Sequence, residues 1–207
     1  MTKKIAFVLS GCGYENGSEL YETIFSIEIF KKHNCEITFF APNIIENDRN
    51  PFIESKAITR GEDRLLELNE LIEYIKDFDV LFFPGGFGVV KNLSNYMDNN
   101  IDIKLYDGLK DSIIYAYKNN KTIGALCIAP TLLAVALGGI DSQIILTLGG
   151  SQHANKILKF GMQYKECKCD FFVKYKNIYT SPAFMASKNI IEIKTGIEKM
   201  INEIVKE

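Results

Sequence analysis

The stretch Lys121-Thr-Ile-Gly-Ala-Leu-Cys-Ile-Ala-Pro-Thr-Leu-Leu-Ala-Val-Ala-Leu-Gly-Gly139 constrains the fold more than any other part of the chain. Thr122 to Leu126 is a short apolar run fit for a buried strand. It turns abruptly into a helix-compatible run, closed by the C-cap signals Gly138 and Gly139. Cys127 sits at the junction, between the small residues Ala125 and Ala129. Pro130 follows where a first helical turn tolerates a missing N–H. This is the residue logic of a nucleophile elbow, a tight strand-to-helix turn that exposes its central side chain. A cysteine there gains a helix N-terminus that favours thiolate, and free N–H groups able to hold an oxyanion. The competing reading is a buried core cysteine, since free Cys packs as a small hydrophobe.

At 207 residues, 47% of them apolar, the chain is long enough to bury a sizeable core, and no linker, repeat or low-complexity tract divides it. A single α/β domain over 1–207 is expected. A net charge of −2 gives no electrostatic reason to expect nucleic acid. No apolar run reaches the length of a membrane span, and Met1-Thr-Lys-Lys leads into a strand rather than a signal peptide, so a cytoplasmic protein without membrane partners is expected. Five cysteines at irregular spacing fit free thiols in a reducing compartment. Cys167-x-Cys169 lacks a second pair at ligand spacing and reads as alternate strand positions, so no metal site is expected.

Lys4 to Ser10 reads as a central parallel strand, and Gly11 to Gly17 as a turn-rich loop. Ser18 is the expected N-cap of an amphipathic helix to about Lys32, followed by a strand from Cys35 to Ala41 that Pro42 stops. The polar stretch from Asn43 to Arg64 carries Asn47-Asp-Arg-Asn-Pro51, a short helix around Phe52 to Ala57 and a turn signal at Arg60-Gly61. Leu65 to Phe78 is helical by period. Asp79 to Pro84 is a buried strand running into Pro84-Gly-Gly-Phe-Gly88, whose glycines let backbone approach a ligand. A helix over Asp102 to Asn119 feeds the elbow strand. Beyond the elbow come a strand over Gln143 to Leu148, a short helix over Ala154 to Phe160, and a strand over Gln163 to Lys168. A hairpin over Phe171 to Tyr179, turning at Lys174 to Asn177, precedes a last helix from Ser187 to Val205.

Leu9-Ser-Gly-Cys-Gly13, Asn16-Gly-Ser-Glu19, Ile58-Thr-Arg-Gly-Glu62, Pro84-Gly-Gly-Phe-Gly88, Lys91-Asn-Leu-Ser-Asn95, Cys127-Ile-Ala-Pro130 and Thr180-Ser-Pro-Ala-Phe-Met185 occur in that order. Together they resemble the ElbB family, the isoprenoid biosynthesis glyoxalase or enhancing lycopene biosynthesis proteins. That family lies in the class I glutamine-amidotransferase-like superfamily, beside the PfpI-type proteases. The resemblance implies a flavodoxin-like three-layer α/β sandwich with a mostly parallel central sheet and a cysteine nucleophile elbow, assembled as a homodimer. It implies Cys127 as nucleophile, Glu19 as its acidic partner, and the N–H groups of Gly86 and Ile128 as an oxyanion hole. The site is expected at the carboxyl edge of the sheet, lined further by Cys12, Phe87, Gly88 and Asn92. The superfamily's amide hydrolases carry a histidine by the cysteine, whereas here Ile128 follows Cys127, and His153 lies further along.

Three functions are compatible with these residues. The first is a cofactor-independent glyoxalase acting on small 2-oxoaldehydes such as methylglyoxal, with Cys127 adding to the aldehyde and Glu19 moving the proton between carbons. The second is a cysteine hydrolase or amidase, which needs His153 as base. The third is a thiol redox sensor in which Cys12 resolves an oxidised Cys127.

Overall fold

The apolar run at the N-terminus becomes β1 (Lys4–Val8), buried from Ile5 onward. The chain continues through α1 (Leu20–Lys32), β2 (Glu36–Ala41), α2 (Pro51–Thr59), β3 (Arg64–Glu67), α3 (Leu71–Tyr74), β4 (Val80–Phe83) and α4 (Phe87–Asn92). Then come α5 (Leu109–Lys118), β5 (Thr122–Leu126), α6 (Pro130–Leu137), β6 (Ile145–Leu146), α7 (Asn155–Leu158), β7 (Gln163–Tyr164), β8 (Val173–Tyr175), β9 (Ile178–Ser181) and α8 (Ile190–Ile204). The structure is a computed structural model that describes residues 2–45, 48–60, 64–98 and 102–207. Asn47, Gly61 and Glu62, which carry parts of the sequence motifs above, lie outside the described residues.

Seven strands form one sheet in the order β3-β2-β1-β4-β5-β9-β8, parallel except for β8, which pairs antiparallel with β9. Helices α1 and α8 pack together on one face, while α5 packs on β5 and α6 on the other. This is the flavodoxin-like α/β sandwich that the resemblance implies. The centre is aromatic because adjacent strands put phenylalanines in register. Phe7 pairs across to Phe39 and to Phe82, with ring centroids 5.5 and 5.2 Å apart. Phe30 of α1 meets Phe82 edge-on at 5.1 Å, locking that helix to the sheet.

Four expectations change. Leu65–Leu66 belong to the edge strand β3, paired with β2, and the helical turns start only at Leu68. A four-residue strand with charged ends is too short to show a period of two. The long helix begins at Leu109 rather than Asp102, because Gly108 (φ 74°) breaks the backbone there. The strands expected over Gln143–Leu148 and Gln163–Lys168 shrink to two residues each, paired with one another and separate from the main sheet. Finally, α4 grows out of the Gly86-Phe-Gly88 turn, where glycines hid a helical start.

Strand order reverses between β1 and β4, so the connections leaving their carboxyl ends part to opposite sides. A crevice opens at such a point in an open α/β sheet. The loop after β1, the glycine turn after β4 and the junction after β5 all reach this edge.

Candidate active site

At the β5–α6 junction Cys127 has φ 56°, the left-handed region that a non-glycine residue enters at a cost on the order of 1–3 kcal/mol. The strain is held by neighbours. The Cys127 N–H donates to the Ser181 carbonyl at the end of β9 (2.9 Å), and Pro130 opens α6 without needing an acceptor. The backbone turned this way brings the thiol to the sheet edge, where it remains 7% exposed.

The glycine turn after β4 fits closely around it. A Cβ on Gly85 would lie 2.3 Å from the Cys127 Cβ and 2.5 Å from the Glu22 carboxylate, so only glycine fits between them. Gly86 has φ 103° and lies against Gly17 and Glu19. The N–H groups of Gly86 and Ile128 approach the Cys127 sulfur and draw its pKa down. The pair expected to hold an oxyanion therefore faces the sulfur.

The carboxyl that faces the Cys127 side chain is that of Glu22, where Glu19 was expected. Glu19 is the N-cap of α1, and its Oε2 accepts from the N–H of Glu22 at 2.8 Å, the third helical position. Its own N–H donates to the Gly85 carbonyl at 2.8 Å. Glu22, one turn on and fully buried, aims its carboxyl at the cysteine. Its Oε2 accepts from Gly85 N–H at 2.7 Å, its Oε1 from Phe184 N–H at 3.3 Å, and it hydrogen-bonds the Cys127 side chain. Burial, followed by the Glu19 charge, pushes the Glu22 carboxyl up to about 8, against the pull of those N–H groups. Burial, then the Glu22 charge, pushes the Cys127 thiol well above its usual value. The two groups form one buried acidic pair that resists a second negative charge. Burial also raises the Glu19 carboxyl.

A cavity of about 550 Å³ opens above the sulfur. Cys127, Ile128, Gly86, Phe87 and Glu19 line it. Cys12, Gly88 and Asn92 are not among its lining residues, and this corrects their assignment. Asn92 Nδ2 donates to the carbonyls of Ser10 (2.7 Å) and Asn16 (2.8 Å), clamping the loop after β1, and Gly88 lies against Gly17. The Cys12 N–H donates to Glu54 Oε2 at 3.2 Å, and the same carboxylate holds Arg49, whose Nη1 donates to the Asn16 carbonyl. The polar stretch around α2 thus braces the same loop. These residues shape the site from behind.

The walls missed in the sequence are Tyr14, Tyr21, Phe184, Met185 and Lys188. Tyr14 and Tyr21 flank the Gly-Ser-Glu19 turn, and Phe184 and Met185 follow Ala183, itself at φ 43°. A motif that contributes a turn also contributes its flanking side chains. Neither histidine lines the cavity: His33 pairs with Asn202 at the end of α1, and His153 closes a short 3-10 turn after Gly150. Among the described residues, no group of three or more His, Cys, Asp or Glu side chains is placed to hold a metal ion, and no helix is long and apolar enough to cross a membrane.

No family model matches the chain. A curated human protein, glutamine amidotransferase-like class 1 domain-containing protein 3, mitochondrial, is 29% identical over 98% of this chain and 82% of its own length. The crystal structure of an isoprenoid biosynthesis protein with an amidotransferase-like domain from Ehrlichia chaffeensis superposes with a TM-score of 0.86. It is 29% identical, over 98% of this chain and 99% of that one. Drosophila melanogaster DJ-1beta, at 20% identity and a TM-score of 0.56 over 100% and 97% of the two chains, shares the fold. The human protein and its ES1 counterparts from rat and zebrafish are all named mitochondrial, which overturns the cytoplasmic expectation. Free thiols report a reducing environment, not which membrane encloses it. The chain is a homologue of these ES1-type proteins and has the ElbB-like class I glutamine-amidotransferase-like fold.

Proposed function

We propose that the protein is a glyoxalase that converts a 2-oxoaldehyde to the 2-hydroxy acid without a cofactor. The observation that carries this reading is the buried Glu22 carboxyl at the Cys127 sulfur, on an elbow whose cavity no histidine lines. A carboxyl at hydrogen-bond reach of sulfur is also next to a carbon bonded to that sulfur, which suits proton transfer on carbon. In the reaction, Cys127 Sγ bonds the aldehyde carbon and the thiol proton passes to the aldehyde oxygen, leaving a hemithioacetal, with Glu22 reacting as its carboxylate. Glu22 takes the proton from C1 and returns it to C2 through an enediol. C1 is thereby oxidised to a thioester and C2 reduced to an alcohol. Water then cleaves the C–S bond, releasing the hydroxy acid and restoring the thiol. Glu19 acts as a positioning residue, holding the first turn of α1 and adding its charge behind Glu22.

Hydrolysis of amides through His153 needs that imidazole beside the thiol, whereas the side chain acting on Cys127 is Glu22 and the one acting on His153 is Lys156. The test is purified protein with methylglyoxal, following lactate. Lactate formation in the wild type that falls at least about 10³-fold in Cys127→Ala supports the reading. No lactate from the wild type, or as much from the variant, overturns it.

A further inference from the structure

The cavity is too large and too aromatic for methylglyoxal alone. Its 550 Å³ lies in the range of sites that enclose drug-sized ligands, and a three-carbon aldehyde fills only a small part of it. Tyr14, Tyr21, Phe87 and Phe184 supply four aromatic side chains to its walls, with Met185 beside them. Tyr14, Tyr21 and Phe87 are exposed, so their apolar surface stands in water until something covers it. Among the described residues one cation lines the cavity, Lys188, in the segment before α8. It has no hydrogen-bond or ion-pair partner there. The other lysines bordering this edge are engaged: Lys91 Nζ donates to Glu15 O and Asn16 Oδ1, and Lys194 Nζ pairs with Glu28.

The charges at the two parts of the cavity have opposite preferences. Around Cys127 the Glu19 carboxyl and the buried Glu22–Cys127 pair disfavour a further negative charge. At Lys188 an unpaired ammonium attracts one. A ligand with an electrophilic carbonyl at one end and an anion at the other therefore has one favoured orientation, carbonyl to sulfur.

We infer that the physiological substrate is a 2-oxoaldehyde with an aromatic-sized apolar body and an anionic group remote from the aldehyde, and that Lys188 selects that charge. The inference rests on the glyoxalase reading for its reactive group, while the apolar body and the anion rest on the cavity walls alone.

Two measurements on the full chain separate these supports. The first compares kcat/KM for methylglyoxal, phenylglyoxal and 4-carboxyphenylglyoxal. Phenylglyoxal is expected to exceed methylglyoxal at least about 10-fold through burial of the ring. The carboxylate adds a further factor of about 3–5 at low salt, the range of a single exposed ion pair. That factor disappears in Lys188→Ala, falls below one in Lys188→Glu, and shrinks in about 1 M salt, where screening is nearly complete. The thermal midpoint of each variant checks its folding, and methylglyoxal, which carries no anion, is the reference against which the carboxylate factor is read within each protein. The second measurement needs no turnover: calorimetric titration with 4-phenylbutyrate and with its amide. The acid is expected to bind about 3–5-fold more tightly, and the difference vanishes in Lys188→Ala. Equal binding of acid and amide to the wild type, a difference that survives Lys188→Ala, or no binding of either compound overturns the inference. Selective binding of the acid with no oxoaldehyde turned over overturns the glyoxalase reading and leaves the assignment of the cavity standing.

Discussion

Two carboxyl groups at opposite edges of the sheet have opposite fates. Asp141, at the amino edge after α6, accepts from Tyr117 OH at 2.5 Å, from Lys176 Nζ at 2.9 Å and from the Gln143 N–H at 2.9 Å. The tyrosine hydroxyl, followed by the lysine, holds its carboxyl well below the usual range. Glu22, at the carboxyl edge, is fully buried, and its partners are two backbone N–H groups and a thiol, with a second acid close by. Its carboxyl is pushed up to about 8. One edge satisfies its acid with a cation and ties chain segments together. The other buries an acid without a cation, and the proton it retains is available for chemistry. A polar cluster is therefore read by what faces the charge, not by how many charges it contains.

The sharpest way to break this contrast is Glu22→Gln. The amide keeps much of the shape but carries no proton to and from carbon, so turnover of a 2-oxoaldehyde should fall about 10²–10⁴-fold. The Cys127 thiol should respond the other way. The Glu22 charge raises its pKa, so alkylation of Cys127 by iodoacetamide should begin at lower pH in the variant. Wild-type turnover after Glu22→Gln would return Glu22 to a purely structural role.

The next effect is on stability. The folded-state pKa of Glu22 rises from 4.5 to about 8, so the fold retains a proton that the unfolded chain has released. Its contribution is fully present below pH 4.5 and is lost as pH rises through about 8. Over that window wild-type stability should decline relative to Glu22→Gln by up to about 1.4 kcal/mol per pH unit, read from denaturant unfolding. Parallel curves for the two proteins would mean that Glu22 is already ionised in the fold.

Asp141 has the opposite sign. Its lowered pKa contributes stability above the ordinary value of 3.8 and loses it as pH falls. Asp141→Asn should lower the Tm by a few degrees at neutral pH, and the gap should close in acid with turnover untouched. The smallest effect is expected in Glu19→Gln. Removing the charge behind Glu22 should move the pH midpoint of Cys127 alkylation down by less than about one unit, with turnover reduced only a few-fold. A loss as large as that in Glu22→Gln would reverse the roles of the two acids.

The choice between those acids marks where the sequence stopped being legible. Glu19 and Glu22 are one helical turn apart and share a face, so periodicity cannot separate them. What separates them is the N-cap. With Ser18 as the cap, Glu19 reads as a free carboxylate in the first turn. With Glu19 as the cap, its oxygen is committed to the third N–H and Glu22 is left to face the cysteine. The shift is one residue, within the ordinary uncertainty of a helix start. The elbow itself was legible, because a small-Cys-x-small-Pro junction between an apolar strand and an apolar helix permits few backbones. The aromatic walls were not. Tyr14 and Phe184 are 170 positions apart by number, and only the docking of the two loops makes them neighbours on one cavity.

The Phe184–Glu22 hydrogen bond spans 162 residues. A chain that has folded only through β5 already holds the thiol, the acid and the glycine turn, but Glu22 has one backbone donor instead of two, and the cavity lacks its far wall. Contacts of such long sequence separation form late. The cysteine therefore acquires its full environment only when the last segment docks, which makes Cys127 alkylation a natural clock for the completion of folding.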